Sequence, residues 1–238
     1  MCGRYTLATP DPAQIRGRFG LAESVTVRQR FNIAPGDEVL AVTADRDGVA
    51  RGEGLRWGLV PFWAKTPETG LKMINARMET LTERPAFRQS LERFRCLIVA
   101  DGFYEWRVAD AGAEGSRRLP KQPFHITRQD EAPFAFAGLW SSWRAPDGSR
   151  LRTCTIITTA ANATIASLHD RMPVILAPEA EQAWLDPRTP SCELPDLLAG
   201  LPEAQTALRA VCSAVNDARY DGPECLAAPV ASAQAALF

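Results

Sequence analysis

The sequence predicts an α+β fold: a single domain built on a curved or barrel-like, mainly antiparallel β-sheet with short flanking helices. Strand-like apolar segments are numerous and are separated by turns rich in Gly, Asp and Pro. Helical patterns are few and short. The 238 residues, 46% hydrophobic and 23% charged, suffice for one sizeable core.

The elements follow from local signals taken in chain order. Asp11 as N-cap, Pro12 at the first helical position and the closing Gly20 define the first helix. Further helices are predicted over residues 85–93, 162–168, 178–185 and 194–198. Strands are predicted over residues 39–43, 54–60, 95–100, 124–127, 133–143, 151–159, 173–176 and 211–215.

The remaining segments are predicted to lack regular structure. Residues 30–36 and the region of Asn75 have loop-like composition, and residues 108–123 are expected to form an exposed loop between strands. From Ala227 onward the chain is rich in Ala, Pro and Ser, which predicts disorder. We therefore expect one domain over residues 1–229 and a flexible tail over residues 230–238.

Composition excludes several classes of protein. The six cysteines are scattered without a C-x-x-C pair and there are only two histidines, so we expect neither a disulfide framework nor a metal site, and no cofactor. No apolar run reaches the ~18 residues of a membrane span. The net charge of −1 gives no global basic field. These features favour a monomeric cytoplasmic protein, associated with the nucleoid if it acts on DNA.

The first residues carry the most unusual chemistry. If Met1 is removed, Cys2 presents a free amine beside its own thiol, and this 1,2-aminothiol converts an aldehyde into an imine and then a thiazolidine. An α-amine with a pKa near ~8 is less protonated at neutral pH than a lysine at ~10.4. Arg4 adds a fixed cation nearby. The alternative is that Cys2 merely follows a start codon.

Three later segments contain polar residues in apolar surroundings. Glu105 lies between aromatic residues after a predicted buried strand, where its pKa would be raised toward neutrality. His169 lies at the boundary between a helix and a strand. Asn75 and Arg77 offer an amide that orients a substrate and a guanidinium that binds phosphate. Each residue also has an ordinary structural interpretation: an edge-strand Glu, a structural His, a turn Asn.

Residues 57–65 combine two tryptophans and a phenylalanine with Gly and Pro. Aromatic residues in such a segment usually belong to the core. They also form platforms on which the bases of single-stranded nucleic acid stack, and Trp63 is the candidate for that role.

Taken together, six segments resemble the SOS response-associated peptidase (SRAP) family. They are MCGR at 1–4, RFNIAP at 30–35, WGLVPFWA at 57–64, INARMET at 74–80, RCLIVADGFYEW at 95–106 and LHDRMPVIL at 168–176. The match runs in order over nearly the whole chain. Met78 and Val99 depart from the Ser and Pro that family members often carry, and neither touches the proposed chemistry.

The resemblance implies a sensor of abasic sites in single-stranded DNA. Such a protein loses Met1, with self-cleavage as one route, and forms a thiazolidine crosslink between Cys2 and the deoxyribose aldehyde. Enzymatic labels that follow are peptidase and, for reversal of the crosslink, lyase. The family's catalytic positions fall on Cys2, Asn75, Glu105 and His169, and the resemblance adds Arg4, Arg77, Arg171 and Trp63 as DNA-binding candidates.

Two other functions remain open on the sequence alone. An N-terminal-nucleophile glutamine amidotransferase also starts with Met-Cys-Gly and uses the thiol on a glutamine amide. Such enzymes place an Asn-Gly pair in the oxyanion hole, and this sequence has no Asn-Gly dipeptide. A non-covalent single-strand-binding module, in which Cys2 is incidental, is the second alternative.

The last residues carry a separate motif. Gln234-Ala-Ala-Leu237-Phe238 resembles the short peptide by which bacterial replication and repair proteins bind the sliding clamp, with Ala235 where leucine is usual. A polar anchor and two apolar side chains on an extended tether suit preformed pockets. Such a tether would raise the effective concentration of the protein at the replication fork. A chance ending of an alanine-rich tail is the alternative.

We predict weak clamp binding through this tail. Ala235 loses a hydrophobic contact of about 1–3 kcal/mol, which leaves an affinity in the micromolar range. Deleting Gln234 to Phe238 should abolish clamp binding in a fluorescence-polarisation titration and leave reaction with a free oligonucleotide unchanged. Absence of clamp binding by the full-length protein at high micromolar concentration would contradict the prediction.

Overall fold

The computed structural model describes residues 2–108 and 121–229. Most of the predicted loop at 108–123, and the tail at 230–238, lie outside the described residues. The strands are β1 (Tyr5–Leu7), β2 (Arg30–Ile33), β3 (Glu38–Ala44), β4 (Ala50–Trp57), β5 (Asn75–Arg77), β6 (Arg95–Ala100), β7 (Gly102–Val108), β8 (Lys121–Arg128), β9 (Phe134–Arg144), β10 (Arg150–Ala160), β11 (Arg171–Pro173) and β12 (Thr206–Ala210). The helices are α1 (Pro12–Arg18), α2 (Pro85–Arg93), α3 (Ala163–Ala166), α4 (Pro178–Leu185) and α5 (Leu194–Leu197).

Five strands close into a barrel. β10 pairs in parallel with β4, and antiparallel pairings then run from β4 to β3, β6, β9 and back to β10. Gly138 on β9 faces Cys96 on β6, and a Cβ at position 138 would lie 2.8 Å from the Cys96 Sγ, so only glycine fits there. β5 and β11 extend the sheet from β10. The predicted barrel-like, mainly antiparallel α+β fold is confirmed.

A second sheet, in the order β12-β8-β7-β1-β2, packs against the barrel. Tyr5 on β1 places its ring edge-on to Trp57 on β4 and Phe136 on β9, at centroid distances of 5.4 and 5.6 Å. Phe103 on β7 meets Phe136 at 6.1 Å. Aromatic pairs of this kind contribute about 0.5–1.5 kcal/mol each beyond the area they bury. They fix the amino-terminal strand between the second sheet and the barrel.

The helices lie where local sequence signals predicted them. The Asp11 side chain accepts a hydrogen bond from the Ala13 N–H and caps α1. α2 covers exactly the predicted residues, and α4 covers 178–185 as predicted. The indole of Trp184 on α4 donates to the carbonyl of Cys96 at 3.0 Å, which anchors the helix to the outside of the barrel.

Several strands differ from the prediction. Residues 30–33 form β2 because they pair antiparallel with β1, and the Asp221 carboxylate accepts from the N–H groups of Phe31 and Asn32. Asn75 lies in strand β5, which β10 supports. The strand predicted at 54–60 begins earlier, at Ala50, and ends at Trp57.

The carboxyl-terminal part also differs from the prediction. The strand expected at 173–176 is Arg171–Pro173, followed only by an isolated bridge between Ile175 and Phe136. The strand expected at 211–215 lies earlier, at Thr206–Ala210, where β8 offers a partner. Disorder from Ala227 is also wrong for the described residues up to 229, because the Ala227 carbonyl accepts from the Cys212 N–H at 2.8 Å.

A buried polar chain crosses the face of the second sheet that is turned away from the barrel. Thr6 donates its hydroxyl hydrogen to Asp101 at 2.6 Å, so His125 Nε2, 3.0 Å from the same hydroxyl, acts as the donor to it. His125 is therefore neutral, with Nδ1 facing the Arg209 guanidinium at 3.5 Å. A Cβ on Gly102 would collide with the imidazole, which explains the glycine at that position.

Burial, reinforced by the charge of Arg209, lowers the pKa of His125 to about 3. Between pH about 6.5 and about 3 the unfolded chain binds a proton that the native chain does not. The contribution of His125 to the free energy of unfolding is therefore fully present above pH about 6.5. Below that pH, the free energy of unfolding falls by up to about 1.4 kcal/mol per pH unit.

We predict that His125→Gln, which keeps an N–H donor but cannot titrate, flattens the dependence of stability on pH. The measurement is the urea unfolding free energy of both proteins between pH 4.5 and pH 7.5. The comparison uses the slope and not the absolute stability, so a general destabilisation by the substitution does not affect it. Equal slopes in the two proteins would contradict this origin of the acid sensitivity.

Candidate active site

Cys2 lies fully buried at the junction of the barrel and the second sheet. Its carbonyl accepts a hydrogen bond of 2.8 Å from the Asn75 side chain, and its Sγ lies 3.8 Å from the Arg4 carbonyl. Burial raises the pKa of the Cys2 thiol well above its usual range, and the negative charge of Glu105 acts in the same direction. The thiol is therefore held protonated until a base removes its proton.

Asn75 is held in place by strand pairing. β5 pairs in parallel with β10, with Asn75 opposite Ile156. The Nδ2 donates to Cys2, whereas Oδ1 is buried and has no hydrogen-bond partner among the described residues. A buried acceptor without a hydrogen bond costs free energy, and a donor on a bound molecule would supply the missing bond beside Cys2.

Glu105 is buried on β7, at 4% exposure. Burial raises the pKa of Glu105, and the charge of His169 opposes that shift. Since Glu105 also raises the pKa of Cys2, electrostatic interactions link His169, Glu105 and Cys2 into one cluster. The structure thus brings together the four residues predicted to be catalytic.

His169 follows α3 and remains one-third exposed. Its Nδ1 lies 3.0 Å from the backbone nitrogen of Arg171 and 2.7 Å from a carboxylate oxygen of Asp170. A neutral ring with Nδ1 unprotonated accepts from the Arg171 N–H, and a ring protonated at Nδ1 donates to Asp170. Either protonation state therefore has a local partner, as a group that exchanges protons requires.

The three arginines predicted to bind phosphate differ in their partners. Arg171 forms a two-pronged ion pair with Glu79, at 2.6 and 2.9 Å, and donates to the Thr158 carbonyl. Arg4 donates to the Asn32 side chain at 2.9 Å and to the Val215 carbonyl at 2.8 Å. Both side chains therefore bond groups of the protein itself, and their contact with phosphate stays a prediction. Arg77, exposed on β5, forms no ion pair within the described residues.

The aromatic segment after β4 divides between core and surface. Trp57 is buried at 1% exposure, whereas Phe62 and Trp63 are exposed at 60% and 53%. The Trp143 indole donates to the Ala64 carbonyl at 2.7 Å and holds the surface part in place. Trp57 therefore belongs to the core, whereas Trp63 is exposed and its role in stacking stays a prediction; Phe62 joins it as a surface aromatic.

Two residues beside Glu105 went unnoticed in the sequence pattern. Phe124 on β8 is the direct cross-strand partner of Glu105, and the Arg107 guanidinium lies over the Phe124 ring at 4.5 Å. The signal that points to Arg107 is its position two residues after Glu105, which places both side chains on one face of β7.

Within residues 2–108 and 121–229, no group of three or more His, Cys, Asp or Glu side chains is arranged to hold a metal ion. In the same part of the chain, no helix has both the length and the apolar character needed to cross a membrane.

The chain is similar to several known proteins. Residues 1–218 match the family model described as SOS response associated peptidase (SRAP). The chain is 44% identical over 206 residues to the abasic site processing protein YoaM of Bacillus subtilis, covering 84% of this chain and 85% of that protein. It is 40% identical over 231 residues to the abasic site processing protein YoqW of the same organism, covering 94% of this chain and 98% of that protein.

A solved structure of a Bacteroides thetaiotaomicron protein shares the fold, with a TM-score of 0.81 and 24% identity, covering 96% of this chain and 100% of that chain. The extent of the family match and the identity to two relatives lead to one conclusion. The chain belongs to the SOS response associated peptidase (SRAP) family.

Proposed function

We propose that this protein senses abasic sites in single-stranded DNA and shields them by a covalent crosslink. The observation that carries the proposal is the Asn75 hydrogen bond that holds Cys2 beside the buried carboxylate of Glu105. The family match and the names of YoaM and YoqW, both abasic site processing proteins, support the substrate.

The crosslink is a thiazolidine between Cys2 and the open-ring deoxyribose. Once Met1 is gone, the Cys2 amine attacks the C1′ aldehyde and water leaves, which gives an imine. The Sγ then adds to the same carbon, the thiol proton departs, and the imine nitrogen gains a proton. No oxidant or metal enters this sequence of steps.

Glu105 moves the protons of these steps. Burial raises its pKa, which makes the carboxylate a stronger base, so it accepts the proton of the thiol and returns one to nitrogen. Burial raises the pKa of the Cys2 thiol, so the thiol needs an adjacent base, and the Glu105 carboxylate is that base.

Asn75 positions Cys2, and His169 acts on the sugar. The Asn75 amide fixes Cys2, and its open Oδ1 is available to accept a hydrogen bond from the Cys2 amine or from a sugar hydroxyl. His169 exchanges protons at the closed sugar, removing one from the C1′ hydroxyl while the ring oxygen gains one. The sugar then opens to its aldehyde.

The strand itself is bound around this centre. Arg77 has a guanidinium available for a phosphodiester, and the exposed Trp63 and Phe62 provide surfaces for stacking. A flexible single strand costs little to splay, which suits a buried nucleophile that must reach C1′. We further propose self-cleavage after Met1, a lyase-type reversal of the crosslink, and the clamp contact of the tail.

The first test concerns the nucleophile. Cys2→Ala should abolish crosslinks that survive denaturing electrophoresis, because ring closure needs sulfur. Cys2→Ser should leave an imine that borohydride traps. Cys192→Ala, which changes an exposed thiol, is the matched control and should crosslink like the wild type.

Intact mass of the purified protein, measured in parallel, shows whether Met1 has been removed. A stable, wild-type-like adduct from Cys2→Ala would rule out the mechanism. Adducts that detergent and heat remove from the wild type would instead indicate a non-covalent single-strand-binding module.

The second test concerns proton transfer. Glu105→Gln should slow adduct formation by about 10²–10⁴-fold, because the amide keeps the shape of the side chain but cannot accept the thiol proton. The measurement is the rate of crosslink formation on an abasic oligonucleotide under single-turnover conditions. Glu92→Gln, an exposed position on the helix α2, is the control. An unchanged rate in Glu105→Gln would reduce Glu105 to a structural residue.

A further inference from the structure

Beside the centre lies a cationic and aromatic pair that the reaction steps do not use. The Arg107 guanidinium stacks on Phe124 at 4.5 Å, and Arg107 is exposed whereas Phe124 is half-buried. A guanidinium stacked on a ring keeps its in-plane N–H groups directed outward, where they can form a bidentate contact. We call this pair the Arg107–Phe124 platform.

Strand geometry places the platform next to the reacting groups. Glu105 lies opposite Phe124 and Arg107 opposite Gln122, so Glu105, Phe124 and Arg107 share one face of the β7–β8 pair. Residues two apart in a strand are separated by about 7 Å. The start of the chain runs antiparallel beside this half of β7, since Tyr104 donates its N–H to the Arg4 carbonyl at 3.0 Å.

Arg107, which is exposed, has no acidic partner among the residues that the structure describes, unlike several half-buried arginines. Arg171 is paired with Glu79, Arg18 with Glu181 and Arg152 with Glu53. Within the described residues, no carboxylate forms an ion pair with Arg107, and the same is true of Arg77. An arginine held in a fixed orientation without a carboxylate is suited to an external anion.

Arg77 and Arg107, two of the arginines without an ion pair among the described residues, lie on either side of Cys2. The carbonyl of Cys2 bonds Asn75, two residues before Arg77 on β5, and the thiol lies within the field of Glu105, two residues before Arg107 on β7. A strand whose abasic sugar reaches Cys2 therefore has one cation on each flank.

We propose that the Arg107–Phe124 platform is a second phosphate-binding site. Arg77 binds the phosphodiester on one side of the abasic sugar, and the platform binds the phosphodiester on the other side. The inference rests on the proposed function for the identity of its ligand, a single-stranded DNA backbone. The contact is an ion pair with bidentate hydrogen bonds and involves no covalent step. Phe124 acts as a positioning residue, because it orients the guanidinium and does not touch the DNA.

The test measures reversible binding, so that it does not depend on the crosslink. The ligand is a fluorescent single-stranded oligonucleotide with one tetrahydrofuran residue, an abasic analogue that cannot open to an aldehyde. Anisotropy titrations over a salt series give the affinity and the slope of log K against log salt. Arg107→Ala should weaken binding roughly fivefold and reduce the slope by about 0.7, the value for one phosphate contact on a single strand.

Two variants sharpen the result. Arg107→Lys should restore the slope but only part of the affinity, because the charge is retained and the bidentate geometry is lost. Arg150→Ala is the matched control: Arg150 is exposed at the start of β10, about 26 Å along the strand from Thr158, which pairs with Arg77. It should bind like the wild type.

A methylphosphonate scan then locates the contact. Neutralising the phosphate on one side of the analogue should weaken DNA binding by the wild type but not by Arg107→Ala. Neutralising the phosphate on the opposite side should weaken binding by the wild type but not by Arg77→Ala. Equal salt slopes for Arg107→Ala, Arg150→Ala and the wild type would overturn the inference. A scan in which Arg107→Ala and Arg77→Ala are insensitive to the same phosphate would overturn it too. Failure of the wild type to crosslink a natural abasic oligonucleotide refutes the proposed function separately, because the analogue titrations do not require crosslinking.

Discussion

The site depends on the way in which the first strand is enclosed. Chain termini are usually among the least ordered parts of a domain. Here β1 lies between β7 and β2 within a sheet, and Tyr5 is clamped edge-on between Trp57 and Phe136 of the barrel. The hydrogen bond from Asn75 then fixes the carbonyl of Cys2 to β5. Cys2, the proposed nucleophile, is thereby positioned with the precision of a residue in the middle of a secondary structure element.

Burial shifts pKa values in opposite directions on the two faces of the second sheet. On the barrel face it raises the pKa of Glu105 and of the Cys2 thiol, as the proposed proton exchange between them requires. On the other face it lowers the pKa of His125, which becomes a neutral link in the chain from Arg209 to Asp101. The two histidines of the chain therefore serve different purposes: His125 is locked in one tautomer, whereas His169 remains partly exposed with partners for either protonation state.

Local sequence signals predicted those elements whose causes are local. Proline at the start of α2 and the Asp11 cap of α1 define helices without help from distant residues. β2 and β12 escaped prediction because their partners, β1 and β8, are far away in sequence, and β5 is only three residues long. Of the site, Cys2, Asn75, Glu105 and His169 were named from local chemistry and motif resemblance, and the structure brings them together. Spacing in sequence could not show that Asn75 holds Cys2, since 73 positions separate them.

Arginine illustrates most clearly where sequence information ends. Arg4, Arg77 and Arg171 carry the same charge and all lie in the motifs that resemble the family, so the sequence treats them as equal candidates for phosphate binding. The structure separates them by their partners: Arg171 forms an ion pair with Glu79, and Arg4 donates to Asn32 and to the Val215 carbonyl. Moving such a guanidinium to a DNA phosphate would break existing hydrogen bonds and leave their acceptors exposed or unpaired, which offsets much of the gain. A guanidinium that has no hydrogen-bond or ion-pair partner among the described residues incurs no such loss, and such arginines are therefore the best candidates for DNA phosphates.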